Sequence, residues 1–184
     1  MLILVTGASG SGTSTLGAAL ATELGVSHVD TDEYYWLLTK PPFISKRDPA
    51  ERLETLVEDL HQKQNVVVSG SVLNWGHELE DAFDIIVFLY LDATVRVERL
   101  KRREIELFGR ANPEFLEWAA LYDEGPPEGR SLAKHRTWLE ARSCPVLELH
   151  GNLSVGERVA AVLSLIQKKG RLSTAKSGHP LPMA

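Results

Sequence analysis

Cysteine is nearly absent: Cys144 stands alone among 184 residues, with Pro145 directly after it. One thiol can form neither an internal disulfide nor a multi-cysteine zinc site, and it suits a reducing intracellular compartment. The six histidines show no spacing of metal ligands. No apolar run approaches the roughly 18 residues of a membrane span, and no charged leader precedes the first apolar stretch, so neither membrane nor secretion signal is expected and a cytoplasmic protein is. Positive charge is also scarce, with Lys and Arg numbering 20 against 25 Asp and Glu, a net charge of -5 and a pI near 5.7. No basic tract stands out beyond Arg96 to Arg103, which argues against a nucleic-acid partner. No internal repeat is visible, and nothing in the composition chooses between monomer and homodimer.

What remains is one domain of about 171 residues with room for a full core, followed by a tail from Leu172 to Ala184. That tail holds small residues, glycine and two prolines without periodicity, which predicts flexibility. Five apolar runs read as strands: Leu2 to Thr6, Ser27 to Asp30, Val66 to Ser69, Asp84 to Leu91 and Val146 to Leu149. Helical stretches separate them. Asp48-Pro49-Ala50-Glu51 is a helix start, with Leu53, Leu56, Val57 and Leu60 on one face of a helix to about Gln62. Asp92 caps a helix through about Leu107, Asn112-Pro113 opens another, Ser131 to Arg142 reads as a third, and Ser154 with Glu157 makes a capping box before Val159, Val162, Leu163 and Ile166. Continuously apolar strands alternating with helices predict an α/β fold, a five-stranded parallel sheet in a three-layer α/β/α sandwich.

The most informative segment joins the first strand to the first helix: Gly7-Ala8-Ser9-Gly10-Ser11-Gly12-Thr13-Ser14-Thr15. Its glycines let successive N–H groups curl inward around an anion, and the dipole of the helix from Thr13 to Leu24 adds about half a positive charge there. Strand, glycine loop and helix together predict a phosphate site. Ser14 or Thr15 offers a hydroxyl for a magnesium ion that bridges phosphates. The position where such loops carry lysine holds Thr13, which supplies no charge. Binding survives that loss better than catalysis, and arginine from elsewhere can replace it.

Three further clusters fall at the carboxyl ends of the strands. Asp30-Thr31-Asp32 places two acids beside the loop, one suited to metal or metal-bound water and the other to a substrate hydroxyl or its proton. Arg96, Arg99 and Arg103 recur at i, i+3 and i+7, a stripe that can clamp phosphates or pair with Glu98, Glu104 and Glu106 as a solvated face. Tyr34, Tyr35, Trp36, Phe43, Lys46 and Arg47 make an aromatic and basic segment that can form an acceptor pocket, with Tyr35 and Arg47 as candidates, or enter the core. Ser69-Gly70 ends the third strand at the same crevice, and Trp75 reads as packing.

These motifs resemble the nucleoside-monophosphate and shikimate kinase group of P-loop kinases across roughly residues 1 to 168. Gly7 to Thr15 looks like the group's ATP-phosphate loop apart from Thr13. Asp30 and Asp32 are similar to the acid pair that serves magnesium and the substrate hydroxyl. Glu98-Arg99-Leu100-Lys101-Arg102-Arg103 resembles a run in adenylate kinases, and by that likeness Arg99 covers adenine, Arg103 reaches phosphate and residues near 108–130 form a lid. Arg130 and Arg136 resemble the arginines that close on the transferring group. His150-Gly151-Asn152-Leu153-Ser154-Val155 is similar to the adenine-loop segment, which implies base contacts at Gly151, Asn152 and Val155. Ser69-Gly70 stands where adenylate kinases have Asp-Gly, and Tyr34 to Arg47 does not match a monophosphate-binding domain. The resemblance implies ATP and Mg²⁺, with γ-phosphate transfer to a small molecule such as a nucleoside monophosphate. A nucleotide-binding module without turnover, or a plain nucleotide hydrolase, is the alternative that Thr13 leaves open.

Overall fold

The apolar runs become strands because both of their faces are covered. The computed structural model describes residues 1–126 and 129–176. Its strands β1 (Leu2–Gly7), β2 (Ser27–Asp30), β3 (Val66–Ser69), β4 (Ile85–Tyr90) and β5 (Val146–His150) form one parallel sheet in the order β2-β3-β1-β4-β5. The helices are α1 (Thr13–Leu24), α2 (Asp32–Tyr35), α3 (Pro49–His61), α4 (His77–Glu80), α5 (Ala93–Phe108), α6 (Pro113–Ala120), α7 (Leu132–Glu140) and α8 (Val155–Lys176). In the central strand Leu4 lies opposite Val68 on one side and Ile86 on the other. Its neighbours Ile3 and Val5 pack with Leu16, Leu20 and Val162 from α1 and α8, while Leu4 packs with Leu56, Leu79 and Trp138 from α3, α4 and α7. The alternation of a strand therefore feeds two cores, and the three-layer sandwich follows. Leu4, Leu16, Leu20 and Leu56 are fully buried, and truncating any one to alanine costs about 2–5 kcal/mol.

Helix starts follow the capping signals. The Asp48 side chain accepts from the amides of Ala50 and Glu51 with Pro49 in the first turn, and Asp92 accepts from Thr94. Ser154 and Glu157 cap each other reciprocally at α8. That helix continues past Leu172 to Lys176, and residues 177–184 lie outside the described residues. α2 and α4 are single turns, too short for a periodic signal.

Two buried polar networks fix the parts around the crevice. Arg96 is completely buried, and its guanidinium donates to the carbonyls of Leu91 and Ala119 and reaches Asp123 at 3.4 Å. It therefore ties α5 to α6 and does not share the phosphate-facing stripe that its spacing with Arg99 and Arg103 predicts. Buried Glu80 accepts from the amides of Trp75 (3.0 Å) and Gly76 (3.3 Å) and from the Trp138 indole (2.7 Å), with Arg142 beside it at 3.6 Å. No helix among the described residues is long and apolar enough to cross a membrane.

Candidate functional site

β1 hands the chain toward β2, whereas β3 hands it toward β4, so a crevice opens where their carboxyl ends diverge. The glycine loop fills the floor of this crevice. Gly10 (φ 81°) and Gly12 (φ 97°) take left-handed backbone that turns the intervening amides inward. Gly12 caps α1 without any side-chain hydrogen bond, so the amides of the first turn are left for a ligand. Thr13, Ser14 and Thr15 begin that turn, with Ser14 and Thr15 exposed to the crevice mouth, while Ala8 and Ser11 are buried beneath it.

The acids stand beside the loop. Asp30 accepts from the Asp32 amide (3.0 Å) and from Ser69 Oγ (3.1 Å), and His28 Nε2 lies 2.9 Å from the same hydroxyl. Ser69 is thus a buried strut that orients Asp30. Gly70 keeps the β3 end close to Thr31: its φ is 114°, and a Cβ there would collide with the Thr31 hydroxyl. The Asp32 carboxyl is open to solvent, yet the protein around it and then the Asp30 charge push its pKa above the usual carboxylate range, opposed by Arg130 and Arg103. Asp30 and Ser14 are hard oxygen donors of the kind magnesium prefers. Among the described residues no cluster of three or more His, Cys, Asp or Glu could hold a metal alone, so phosphate oxygens and water would complete such a site.

The arginines separate into three situations. Arg130 is half-buried, donates from Nη2 to Ser9 Oγ of the loop at 3.1 Å and faces Asp32; burial lowers its pKa and Asp32 opposes the shift. Arg103 is exposed on α5, makes no hydrogen bond or ion pair among the described residues, and acts on Asp32 through space. Arg136 instead pairs with Glu148 on β5 at 3.5 Å. Arg99 donates to Asn152 Oδ1 at 2.6 Å, which draws the turn after β5 against α5. Gly151 takes φ 82° in that turn, and Val155 opens α8 beside it, 39% exposed.

The Tyr35 and Trp75 rings lie 6.3 Å apart, and the Arg52 guanidinium sits 4.9 Å from one centroid and 4.6 Å from the other. Its Nε is buried without a hydrogen-bond partner. Arg47 is engaged elsewhere, with Glu51 at 2.6 Å and the Tyr34 carbonyl at 3.1 Å. Lys46 stands 5.9 Å from the Tyr35 centroid. The arginine that faces the aromatic pair is therefore Arg52, which the sequence reading passed over. Arg158 was passed over as well, although it interrupts the apolar stripe of Val155, Val159 and Val162, where a charge signals a buried partner. It is 4% exposed and donates to the carbonyls of Ser11 (2.8 Å) and Gly151 (3.2 Å).

Comparison with known proteins bears on the fold. Residues 3–111 match the family described as an AAA domain. The uncharacterized protein YqaC of Bacillus subtilis (strain 168) is 43% identical over 174 residues, spanning 89% of this chain and 96% of its own. A gluconokinase from Sinorhizobium meliloti 1021 superposes with a TM-score of 0.60 at 23% identity, covering 96% of this chain and 97% of its own. A shikimate kinase from Acinetobacter baumannii in complex with shikimate gives 0.58 at 20% identity, covering 91% and 93%. The fold is that of the P-loop kinases.

Proposed function

The chain belongs to the AAA domain family, and from that premise we propose that it is an ATP-dependent kinase of a small hydroxy acid. One observation carries the reading. A carboxylate, Asp32, feels the charges of Arg130 and Arg103, and Arg130 also donates to Ser9 of the glycine loop. The loop amides and the first turn of α1 bind the nucleotide phosphates. Arg130, already on Ser9, and Arg103 neutralise charge that builds on the transferring phosphoryl group. Ser14 and Asp30 are the residues that would hold Mg²⁺, which would supply further charge neutralisation.

Asp32 accepts the hydroxyl proton as the acceptor oxygen bonds to the γ-phosphorus and the bond to the β-phosphate oxygen breaks. The products are a phosphate ester, ADP and one proton released from Asp32. A carboxyl group raised in pKa is a stronger base once ionised, which suits this role. The Arg52 guanidinium, held against the Tyr35 and Trp75 rings, is the cation we assign to an acceptor's carboxylate, while Trp75 itself is buried in the core beneath it. The two kinases that share the fold take their names from gluconate and shikimate, both hydroxy carboxylates, which supports the same class here. Thr13 sustains a second reading, a nucleotide-binding module without turnover.

ADP release from Mg·ATP, followed with polyhydroxy acids, nucleoside monophosphates, uncharged polyols and no acceptor, tests both. Release that depends on a hydroxy acid supports the kinase. Release that depends on a monophosphate keeps the kinase and removes the acceptor class, release without any acceptor indicates a hydrolase, and tight binding without release leaves the second reading.

A further inference from the structure

Arg158 reaches the underside of the glycine loop from α8, and its position has two physical consequences. The first concerns peptide geometry. Nη1 donates to the Ser11 carbonyl at 2.8 Å. In a trans peptide the carbonyl and the following N–H point in opposite directions. Holding the Ser11 carbonyl toward α8 therefore aims the Gly12 N–H away from α8, toward the cradle. Nη2 does the same to the Gly151 carbonyl at 3.2 Å, which aims the Asn152 N–H outward from the turn after β5. One side chain thus sets amides in two loops that are distant in sequence.

The second consequence is electrostatic. A Cβ on Gly12 would lie 3.1 Å from Arg158 Nη1 and 3.8 Å from Arg99 Nη1, so two guanidinium groups border the same face of the loop. Neither has a carboxylate partner among the described residues; their acceptors are the neutral oxygens of Ser11, Gly151 and Asn152. Arg158 Nε is buried and has no hydrogen-bond partner among the described residues. Burial, and then the like charge of Arg99, push the Arg158 pKa down. Two unneutralised cations against a ring of inward amides raise the free energy of the empty loop, and an anion in the cradle relieves it.

We propose that Arg158 is the positioning residue of the glycine loop: it orients the Ser11–Gly12 peptide and places behind it the positive charge that Thr13 does not supply. The inference rests on the reading of the loop as a nucleotide-phosphate site. It separates this chain's loop from one that carries its own lysine, because here the charge arrives from the last helix and is shared with the turn after β5. Phosphate recognition and the β5–α8 turn are then coupled through a single guanidinium.

Calorimetric titration with Mg·ATP and with Mg·tripolyphosphate, on the full chain and its variants, tests this. The unaltered chain must bind first; no heat with either ligand overturns the phosphate-site reading before any variant is made. Given binding, Arg158→Met is expected to weaken both ligands about tenfold or more and to raise the KM for ATP while leaving the acceptor KM unchanged. Adding Thr13→Lys to Arg158→Met should recover most of the loss, and should gain more there than in the unaltered chain. Arg158→Lys, which keeps the charge but can reach only one carbonyl, is expected between the two and serves where Arg158→Met does not fold. Unchanged affinity in Arg158→Met or Arg158→Lys overturns the proposal. So does a loss that Thr13→Lys fails to recover, since that marks a packing role alone.

Discussion

On the loop side of the crevice, the groups we assign to recognition belong to the backbone: amides aimed by Gly10 and Gly12, carbonyls held by Arg158, and a turn drawn in by Arg99. On the other side we assign it to side chains, Arg52 of α3 against Tyr35, from which an arm runs to Arg47, pinned by the Trp36–Lys46 bridge and by hydrogen bonds from Leu37 to Ser45 and from Arg47 to Tyr35. The arm leaves Leu38, Phe43 and Ile44 exposed, and its outermost ring, Phe43, meets Phe108 at the end of α5 edge-on at 6.5 Å. A phosphate looks the same in every nucleotide, so main-chain donors suffice for it, whereas an acceptor must be distinguished from other small molecules by groups that differ from residue to residue. Substitutions on the two sides should therefore fail in different ways.

The largest separation is expected at Asp32, which belongs to the reaction and to neither side. Asp32→Asn should lower kcat about a thousandfold while ATP affinity stays within about threefold, read from steady-state rates and calorimetry; an equal fall in affinity would move Asp32 to the binding machinery. Next is the support beneath Arg130. His135 is buried, its Nδ1 lies 2.6 Å from the Tyr122 hydroxyl, and burial followed by Arg130 depresses its pKa to about 3. A folded state that resists protonation loses stability as pH falls from the unfolded value of 6.5 toward 3, by about 3 kcal/mol between pH 7 and pH 4. Urea midpoints across that range should show a slope that His135→Gln flattens, and an identical slope in the variant would refute the assignment.

On the arm side, Arg52→Met should raise the acceptor KM about tenfold and leave the KM for ATP unaltered. A shift in both would mean that the aromatic pair and the loop form one site. The smallest effect belongs to the tip: Leu38→Ser should change stability by less than about 0.5 kcal/mol in chemical denaturation, because nothing packs on a fully exposed side chain.

How much of this was readable beforehand depends on the range over which each signal acts. β1 and α1 announce themselves because an apolar run, three glycines and a leucine stripe are local, and the caps at Asp48, Asp92 and Ser154 fall where their side chains imply. Strand order is not local, and nothing in Ser27–Asp30 says that it pairs with β3 at the edge of the sheet. Spacing placed Arg96 with Arg99 and Arg103, yet one helical turn of difference puts it under α6, because the helix is covered there and not over the crevice. Arg52 and Arg158 escaped for the opposite reason. Each is a lone charge inside an apolar stripe, and only the folded chain shows which carbonyl or ring receives it.

Glu80 gives the acceptor side a hidden dependence. Because one carboxylate grips the main chain at Trp75 and also the indole of Trp138, the stack that holds Arg52 is moored to the helix that follows Arg130. A shift of that helix would therefore pull on the stack. A change at either indole would then be felt at Arg52 as well as in the core.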